Sequence, residues 1–321
     1  MKPHELLDPD FRSFLASGAE TWSLDALPGI RKRVHATFKP RNQARCQTVW
    51  TDGLEGAQLR LCLYRPDTVT DGKTCPVIVY VHGGGFVLGQ PEMADDYLAD
   101  LAQHLHTVIV AVDYRLAPEH PFPAPLEDCY TALAWIFSNH QDLKADTRRL
   151  VVMGHSAGGG LAAALAILAR DRGEYPLMGQ VLIYPMLDCR SGSAESPFTN
   201  ITTGTIGWQP QANQFCWEAL RGNYGLDDER IGYFSAAMQQ DLNDLPPTFI
   251  SVGALDLFME ENVDFAMRLS RAGVPVELHV YPGAPHMFDQ YPGTITSQAK
   301  LDIERALAQF CRYAGRERLS R

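Results

Sequence analysis

The chain has 321 residues, of which 45% are hydrophobic and 21% charged, a globular composition that argues against a disordered or fibrous protein. Its formal net charge of -10 repels phosphate backbones and anionic lipids, so we expect no nucleic-acid partner. No stretch reaches the roughly 18 apolar residues of a membrane span, and the first fifteen residues are too charged for a signal peptide, so we expect a cytoplasmic protein with no stable membrane association.

Short β-rich segments alternate along the chain with segments of helical periodicity. This alternation predicts an α/β protein in which a mostly parallel sheet is covered by helices on both faces. The middle strands are almost wholly apolar, as strands buried on both sides should be. The predicted strands are 59–64, 77–81, 108–112, 150–153, 181–184, 248–252 and 276–281. The predicted helices are 91–106, 124–140, 157–172, 259–272 and 297–313.

Two regions do not fit this alternation: residues 1 to about 45 and residues about 188 to 232. An insertion that interrupts a βα rhythm favours a lid over the active site rather than a separate domain. We therefore expect one domain over residues 1–321, with a helical cap formed by both regions. The second region is rich in aromatic residues: Trp208, Phe215, Trp217, Tyr224 and Tyr233.

A glycine-flanked serine is the first candidate for chemistry. Residues 150–160 read as a buried strand, then Gly154-His-Ser156-Ala-Gly158, then a helix of small residues. The G-x-S-x-G spacing suits a strained strand-to-helix turn, because side chains at the glycine positions would collide with neighbouring backbone. The helix N-terminus favours the negative charge that develops in acyl transfer. The pattern predicts Ser156 as a nucleophile; the alternative is a tight turn with a buried serine.

A run of three glycines follows an earlier apolar strand, in the segment 82–85, His-Gly-Gly-Gly. Bare N–H groups can face an incoming carbonyl oxygen there, as in the HGGG oxyanion loop of lipases and esterases. A phosphate cradle is the alternative, but the lysine of a G-x-x-x-x-G-K-[ST] loop is missing. We expect oxyanion donors at Gly83, Gly84 and Ala157, and support of the loop by His82 and Gly85.

A serine nucleophile needs a base and an orienting acid, which this kind of strand-turn-helix site supplies in the chain order Ser, Asp or Glu, His. Asp256 follows the strand 248–252, and His286 follows the strand 276–281. Because the ends of parallel strands meet at one edge of the sheet, both side chains should lie near Ser156. We predict His286 as general base and Asp256 as the acid that orients it.

Other residues fit these roles less well or have plainer explanations. Asp264 lies within a predicted helix, Asp289 comes after the histidine, and His279 lies inside a strand. His104 and His106 have metal-like spacing but no carboxylate or cysteine companion, so we expect a solvated pair. Two charged pairs are interpreted as surface charges without a role: Glu260 with Glu261, and Arg148 with Arg149.

The cysteines indicate neither a disulfide framework nor a metal centre. Their odd count suits reduced thiols, and they form no CxxC pair or Cys/His cluster, so we expect no zinc site and no redox pair. The seven are Cys46, Cys62, Cys75, Cys129, Cys189, Cys216 and Cys311.

Taken together, these motifs resemble those of the hormone-sensitive-lipase-like family of bacterial carboxylesterases, in the α/β-hydrolase superfamily. The resemblance runs from Val77 to Phe288 and includes the segment 113–124, which is similar to the family's segment after its fourth strand. The chain departs from the family pattern at three positions. His155 stands where an aspartate usually precedes the serine, Leu257 where a proline usually follows the acid, and Met287 where a glycine usually follows the histidine.

The resemblance implies an α/β-hydrolase core with a helical cap and cofactor-independent cleavage of short- to medium-chain acyl esters. It also implies that the small-molecule ester is the main partner, with the protein a monomer or homodimer. An amidase, such as an arylformamidase, is the main alternative because it uses the same groups. A non-catalytic binding protein and a dehydratase or lyase on this fold are less favoured, because Ser156, Asp256 and His286 are all present.

Overall fold

An eight-stranded sheet organises the part of the chain that the computed structural model describes, residues 2–16, 20–37, 45–67 and 73–312. Its strands are β1 (Gln47–Asp52), β2 (Gln58–Tyr64), β3 (Cys75–Val81), β4 (Val108–Asp113), β5 (Ala145–His155), β6 (Gly179–Ile183), β7 (Thr248–Gly253) and β8 (Val276–Tyr281). They lie in the order β1-β2-β4-β3-β5-β6-β7-β8. All pairs from β4 to β8 are parallel, whereas β2 pairs antiparallel with both β1 and β4.

Ten α-helices and several short 3-10 turns complete the described structure. The helices are α1 (Pro3–Leu6), α2 (Leu27–Thr37), α3 (Asp95–Leu105), α4 (Ala124–Ser138), α5 (His140–Leu143), α6 (Ala157–Arg172), α7 (Pro210–Arg221), α8 (Ile231–Phe234), α9 (Met259–Arg271) and α10 (Thr294–Arg312). The 3-10 turns are Pro9–Ala16, Leu54–Gly56, Pro91–Ala94, Ala236–Met238 and Phe288–Gln290. None of the described helices combines the length and the apolar character needed to cross a bilayer.

The helices cover both faces of the sheet. Side chains alternate along a strand, so Val77, Val79 and Val81 of β3 pack into one core cluster with α4, α6 and α9. Ile78 and Tyr80 point the other way, into a second cluster with α3 and α10. Because both faces are buried, the middle strands are apolar throughout, and the predicted α/β class is confirmed.

All the predicted strands and helices form, with differences at their boundaries. The predicted helix 91–106 begins as a 3-10 turn, and 124–140 divides into α4 and α5. β6 ends at Ile183, before Tyr184, whose φ is 37°. The last residue of the predicted helix 297–313 lies outside the described residues.

One strand was missed and another is longer than predicted. β1 carries β-forming residues at 48–51, Thr-Val-Trp-Thr, but it is short and mostly exposed, and no strand was predicted there. β5 begins at Ala145 rather than Leu150, because a polar stretch resembling a loop continues the pairing with β3 across a register shift.

The described parts of the N-terminal region pack beside two loops of the sheet edge. The guanidinium of Arg31 in α2 donates to the carbonyls of Val87 and Ala117 at 2.7 and 2.8 Å and pairs with Glu119. Phe11 is fully buried, with its ring 6.0 Å from that of Phe288. Residues 1, 17–19 and 38–44 of the predicted cap lie outside the described residues.

The second irregular region extends beyond its predicted limits of 188 and 232. It occupies the whole connection between β6 and β7, residues 184–247, and holds α7 and α8. We call this connection the insertion. Trp217 of α7 is buried between the rings of Phe86 and Phe234, at 5.1 and 5.2 Å. The insertion is therefore packed against the glycine-rich segment that follows β3.

Candidate active site

The serine turn between β5 and α6 has the strained geometry that its glycines predict. Ser156 has φ 55° and ψ -119°, a region that costs a residue with a side chain about 1–3 kcal/mol. Its N–H donates to the carbonyl of Ile183 at 2.9 Å, and its own carbonyl accepts from Gly160 and Met186, both at 3.0 Å. A side chain at Gly158 would place Cβ 2.2 Å from the carbonyl oxygen of Val81. This close packing holds the Ser156 hydroxyl at the carboxyl end of the sheet.

The three predicted side chains lie in one hydrogen-bonded row. The Oγ atom of Ser156 is 2.9 Å from Nε2 of His286, and Nδ1 of His286 is 2.7 Å from Oδ2 of Asp256. The second carboxylate oxygen of Asp256 accepts from the N–H of Phe258 at 3.0 Å. All three residues are buried, and Asp256 has no exposed surface. The arrangement suits transfer of the serine proton to the imidazole.

Two backbone hydrogen bonds fix the acid loop to the histidine loop. The N–H of Leu255 donates to the carbonyl of Ala284 at 3.0 Å, and that of Ala254 donates to Tyr281 at 2.8 Å. These contacts hold Asp256, which follows β7, close to His286, which follows β8.

The glycine-rich segment lies directly beside Ser156. A Cβ built on Gly83 would lie 3.4 Å from Cβ of Ser156, so the Gly83 backbone approaches the nucleophile closely. Gly84 has φ 124°, and a Cβ there would lie 2.0 Å from the carbonyl oxygen of Leu88. The segment can therefore present backbone N–H groups beside the serine without side chains in the way.

His82 packs beneath this segment. Its ring stacks on Tyr114 with centroids 4.2 Å apart, and Nδ1 lies 2.8 Å from the carbonyl oxygen of Gly83. The hydroxyl of Tyr114 donates to the carbonyl of His82 at 2.9 Å. Burial lowers the pKa of His82, which favours the neutral imidazole.

A second cluster of polar side chains, which was not predicted, lies beside the hydrogen-bonded row of Ser156, His286 and Asp256. Nε2 of His155 is 3.5 Å from Oδ2 of Asp289, and the hydroxyl of Tyr184 donates to Oδ1 of Asp289 at 2.7 Å. The Tyr184 ring also meets the His286 ring edge-on at 4.8 Å. Their nearness in sequence to the candidate catalytic residues could have indicated this pair, because His155 directly precedes Ser156 and Asp289 lies three residues after His286.

The electrostatics of Asp289 follow from these contacts. Burial alone would raise the pKa of Asp289, but the hydrogen bonding and charge of His155 and the Tyr184 hydroxyl outweigh it and leave the pKa below its ordinary value. The carboxylate is thus kept ionised next to the candidate site.

The rival residues lie in other contacts. Asp264 is partly exposed on α9, 4.0 Å from Arg268, and His279 lies in β8 with Nε2 2.6 Å from Glu277. One surface interpretation was wrong, because Glu261 is only 1% exposed. Burial raises the pKa of Glu261 well above its ordinary value. The helical pattern could not show this, since what buries Glu261 is the distant segment 187–191.

Among the described residues, one group has the spacing of metal ligands: Cys46, Cys62 and Glu92. The guanidinium of Arg60 hydrogen bonds both carboxylate oxygens of Glu92 and lies 3.6 Å from the sulfur of Cys62. A fixed positive charge therefore already occupies this group, and we assign it no metal.

Comparisons with known proteins give the family of the chain. A family model described as alpha/beta hydrolase fold matches residues 78–290. Esterase LipI of Mycobacterium tuberculosis is 34% identical over 239 residues, covering 73% of this chain and 72% of that protein. Carboxylesterase NlhH of the same species is 36% identical over 256 residues, covering 79% and 78%. The solved structure of a bacterial heroin esterase superposes with a TM-score of 0.86 at 30% identity, covering 96% and 99%.

The chain belongs to this α/β-hydrolase family, and the predicted hormone-sensitive-lipase-like membership is confirmed. Within it the protein is a carboxylic ester hydrolase.

Proposed function

We propose that the protein cleaves short- to medium-chain acyl esters through a covalent acyl-enzyme on Ser156, with His286 as general base and Asp256 as orienting acid. The observation that supports this most strongly is the row of hydrogen bonds from Ser156 through His286 to Asp256, at 2.9 and 2.7 Å. A serine hydroxyl is a weak nucleophile until a positioned base accepts its proton, and this row supplies one.

In the acylation half, Oγ of Ser156 attacks the ester carbonyl while Nε2 of His286 takes its proton. The negative charge that develops on the carbonyl oxygen is bound by the N–H groups of Gly83, Gly84 and Ala157. When the tetrahedral intermediate collapses, the bond to the alkoxy oxygen breaks. The alcohol leaves with the proton from His286, and the acyl group stays on Ser156.

In the deacylation half, water replaces the alcohol. His286 takes a proton from the water, and the water oxygen attacks the acyl carbonyl. The carboxylic acid then leaves as His286 returns the proton to Oγ of Ser156. Asp256 holds the imidazole tautomer and stabilises the imidazolium in both halves. No cofactor is needed in this sequence.

A small apolar cavity lies behind the serine turn. Two of its lining residues, Gly160 and Met186, donate backbone hydrogen bonds to the carbonyl of Ser156. The other walls include Phe86, Leu161 and Phe234. Its volume of about 10 Å³ is the space of about one water molecule, so an acyl chain enters it only if side chains in its walls move apart. We further infer that the N-terminal region and the insertion act together as the cap.

The test is an activity series on p-nitrophenyl esters of increasing acyl length, with a matched anilide and the Ser156→Ala variant in parallel. Esterase activity that falls with long chains, is weak on the anilide and is lost in Ser156→Ala is the expected result. Anilide cleavage as fast as ester cleavage would favour the amidase. Full activity in Ser156→Ala would contradict the proposal.

A further inference from the structure

Trp208 of the insertion lies between the glycine-rich segment and the candidate base. Its ring centroid is 5.9 Å from that of His286, and its Cη2 atom would be 3.2 Å from a Cβ on Gly85. Among the described residues, three aromatic rings pack around the imidazole of His286. Tyr184 and Phe258 are buried, whereas Trp208 is half-exposed. Trp208 is therefore the ring that can touch both His286 and a substrate.

A buried hydrogen-bonded chain fixes the orientation of this ring. The indole N–H of Trp208 donates to Oδ1 of Asn213 at 3.2 Å, and Nδ2 of Asn213 donates to the carbonyl of Ser191 at 2.7 Å. The hydroxyl of Ser191 donates to the carboxylate of Glu261 on α9, which also accepts from the N–H of Leu187 at 2.7 Å. Asn213 has no exposed surface. The chain thus ties the ring to the rigid core rather than only to its own loop.

Trp208 also lines a cleft between the insertion and the N-terminal region. The cleft has a volume of about 320 Å³. Its apolar walls include Phe14, Trp22 and Ile206, and its polar walls include Glu20, Gln209 and Gln211. Trp22 meets the Trp208 ring edge-on, with centroids 5.4 Å apart. These flat rings suit a planar aromatic group better than a flexible chain, because ring pairs add edge-on and offset contacts to apolar burial.

The reaction places the alcohol part of the substrate on this side. His286 must protonate the leaving oxygen, so that oxygen lies within hydrogen-bond reach of Nε2. The group attached to the leaving oxygen is then directed past Trp208 into the cleft.

We infer that Trp208, held by Asn213, forms the alcohol-side wall of the site and selects esters of planar aromatic alcohols. This inference rests on the proposed function, since it uses His286 as the proton donor to the leaving alcohol.

The test compares two acetates that differ only in the alcohol, 1-naphthyl acetate and ethyl acetate. The measured quantity is the ratio of their kcat/KM values, expressed relative to the same ratio in the wild type. Intrinsic reactivity of the esters, and any general loss of catalysis, cancel from that comparison. Inhibition by free 1-naphthol gives an independent measure of binding.

We expect Trp208→Ala to lower the ratio about tenfold, mainly through a higher KM for the naphthyl ester, and to weaken inhibition by 1-naphthol by a similar factor. Trp208→Phe should recover most of the ratio because it keeps a planar ring. Asn213→Ala should give an intermediate loss, since the ring remains but its orientation is free. If Trp208→Ala does not fold, Trp208→Leu keeps apolar volume without a flat face and takes its place.

The matched control is Trp50→Ala, because Trp50 is 59% exposed on β1 and belongs to no wall of the cleft. Its ratio should equal that of the wild type. An unchanged ratio in Trp208→Ala, in a protein whose esterase activity still depends on Ser156, would overturn this inference alone. Esterase activity independent of Ser156 would instead contradict the proposed function.

Discussion

The sheet edge that carries Ser156 and the insertion that packs beside it are built in different ways. At the sheet edge, each candidate group sits on a short turn directly after a strand, so its position follows from a few neighbouring residues. In the insertion, Trp208 is placed by Asn213, Ser191 and Glu261, which come from three separate segments. We infer that local turns set the chemistry, whereas long-range contacts set the choice of substrate.

Removing the base tests the sheet-edge side of this comparison with the largest expected effect. His286→Ala leaves the Ser156 hydroxyl without a proton acceptor, and we expect kcat to fall by about 10⁶-fold, as when a triad histidine is removed elsewhere. Steady-state hydrolysis of a p-nitrophenyl ester measures this. The control is His279→Ala, a β8 histidine, which should change kcat little. A loss of less than about tenfold would exclude His286 as the base.

Changing the acid should have a smaller effect. Asp256→Asn keeps the shape of the side chain, but its amide favours the wrong imidazole tautomer, so we expect kcat to fall by about 10⁴-fold. Asp264→Asn, at a partly exposed position of α9, is the control and should have near wild-type kcat. Equal losses in the two variants would contradict the role of Asp256.

A methyl group on the glycine-rich segment should disturb the oxyanion donors. In Gly84→Ala the new Cβ would overlap the Leu88 carbonyl, displacing the segment, and we expect kcat to fall by about 10²–10³-fold. Gly173→Ala is the matched control, because Gly173 also has a positive φ of 71° but open space around it. It should lose some stability and keep its kcat. Similar kcat values in both variants would argue against oxyanion binding at this segment.

The carboxylate beside His155 should contribute to stability rather than to the chemical step. A folded-state pKa below the ordinary value means that stabilisation is present above the unfolded pKa of about 3.9 and is lost as the pH falls through the lower folded pKa. We expect Asp289→Asn to lower the free energy of unfolding by about 1–3 kcal/mol at neutral pH. Urea unfolding over a pH series should show this difference disappear in acid. A difference that persists at low pH would contradict the explanation.

The smallest expected effect is a change in the free energy of unfolding when Glu261, the buried acid that supports the insertion, is replaced. Because burial raises the pKa of Glu261, its ionisation opposes folding above the ordinary glutamic acid pKa of about 4.3. Glu261→Gln keeps an acceptor for Leu187 and a polar partner for Ser191 without the ionisation. We expect it to be more stable than the wild type at neutral pH, with the difference shrinking as the pH falls. A variant that is less stable at neutral pH would show that the carboxylate charge is needed.

The sequence predicted the sheet edge well because its signals are local. Gly158 permits the close approach of Val81, and Gly84 permits a positive φ, so each glycine records a steric demand in its own neighbourhood. The candidate acid Asp256 and the candidate base His286 were expected from their places after β7 and β8. The α/β class followed from strands that are apolar throughout.

The features that the sequence did not predict depend on contacts between distant segments. Strand β1 is an edge strand whose side chains are mostly exposed, so its pairing with β2 carries little sequence signal. Glu261 has an ordinary helical pattern and is buried only because segment 187–191 folds over it. The orientation of Trp208 depends on Asn213, which is held in turn by the carbonyl of Ser191, 22 residues away.

The most direct measurement is to locate the acyl group during turnover. The protein is mixed with excess p-nitrophenyl acetate, stopped in acid within the first turnovers, digested and analysed by mass spectrometry. An acetyl group on the peptide that contains Ser156, absent in Ser156→Ala, is the predicted result. An acetyl group on another residue, or rapid turnover in Ser156→Ala, would contradict the account.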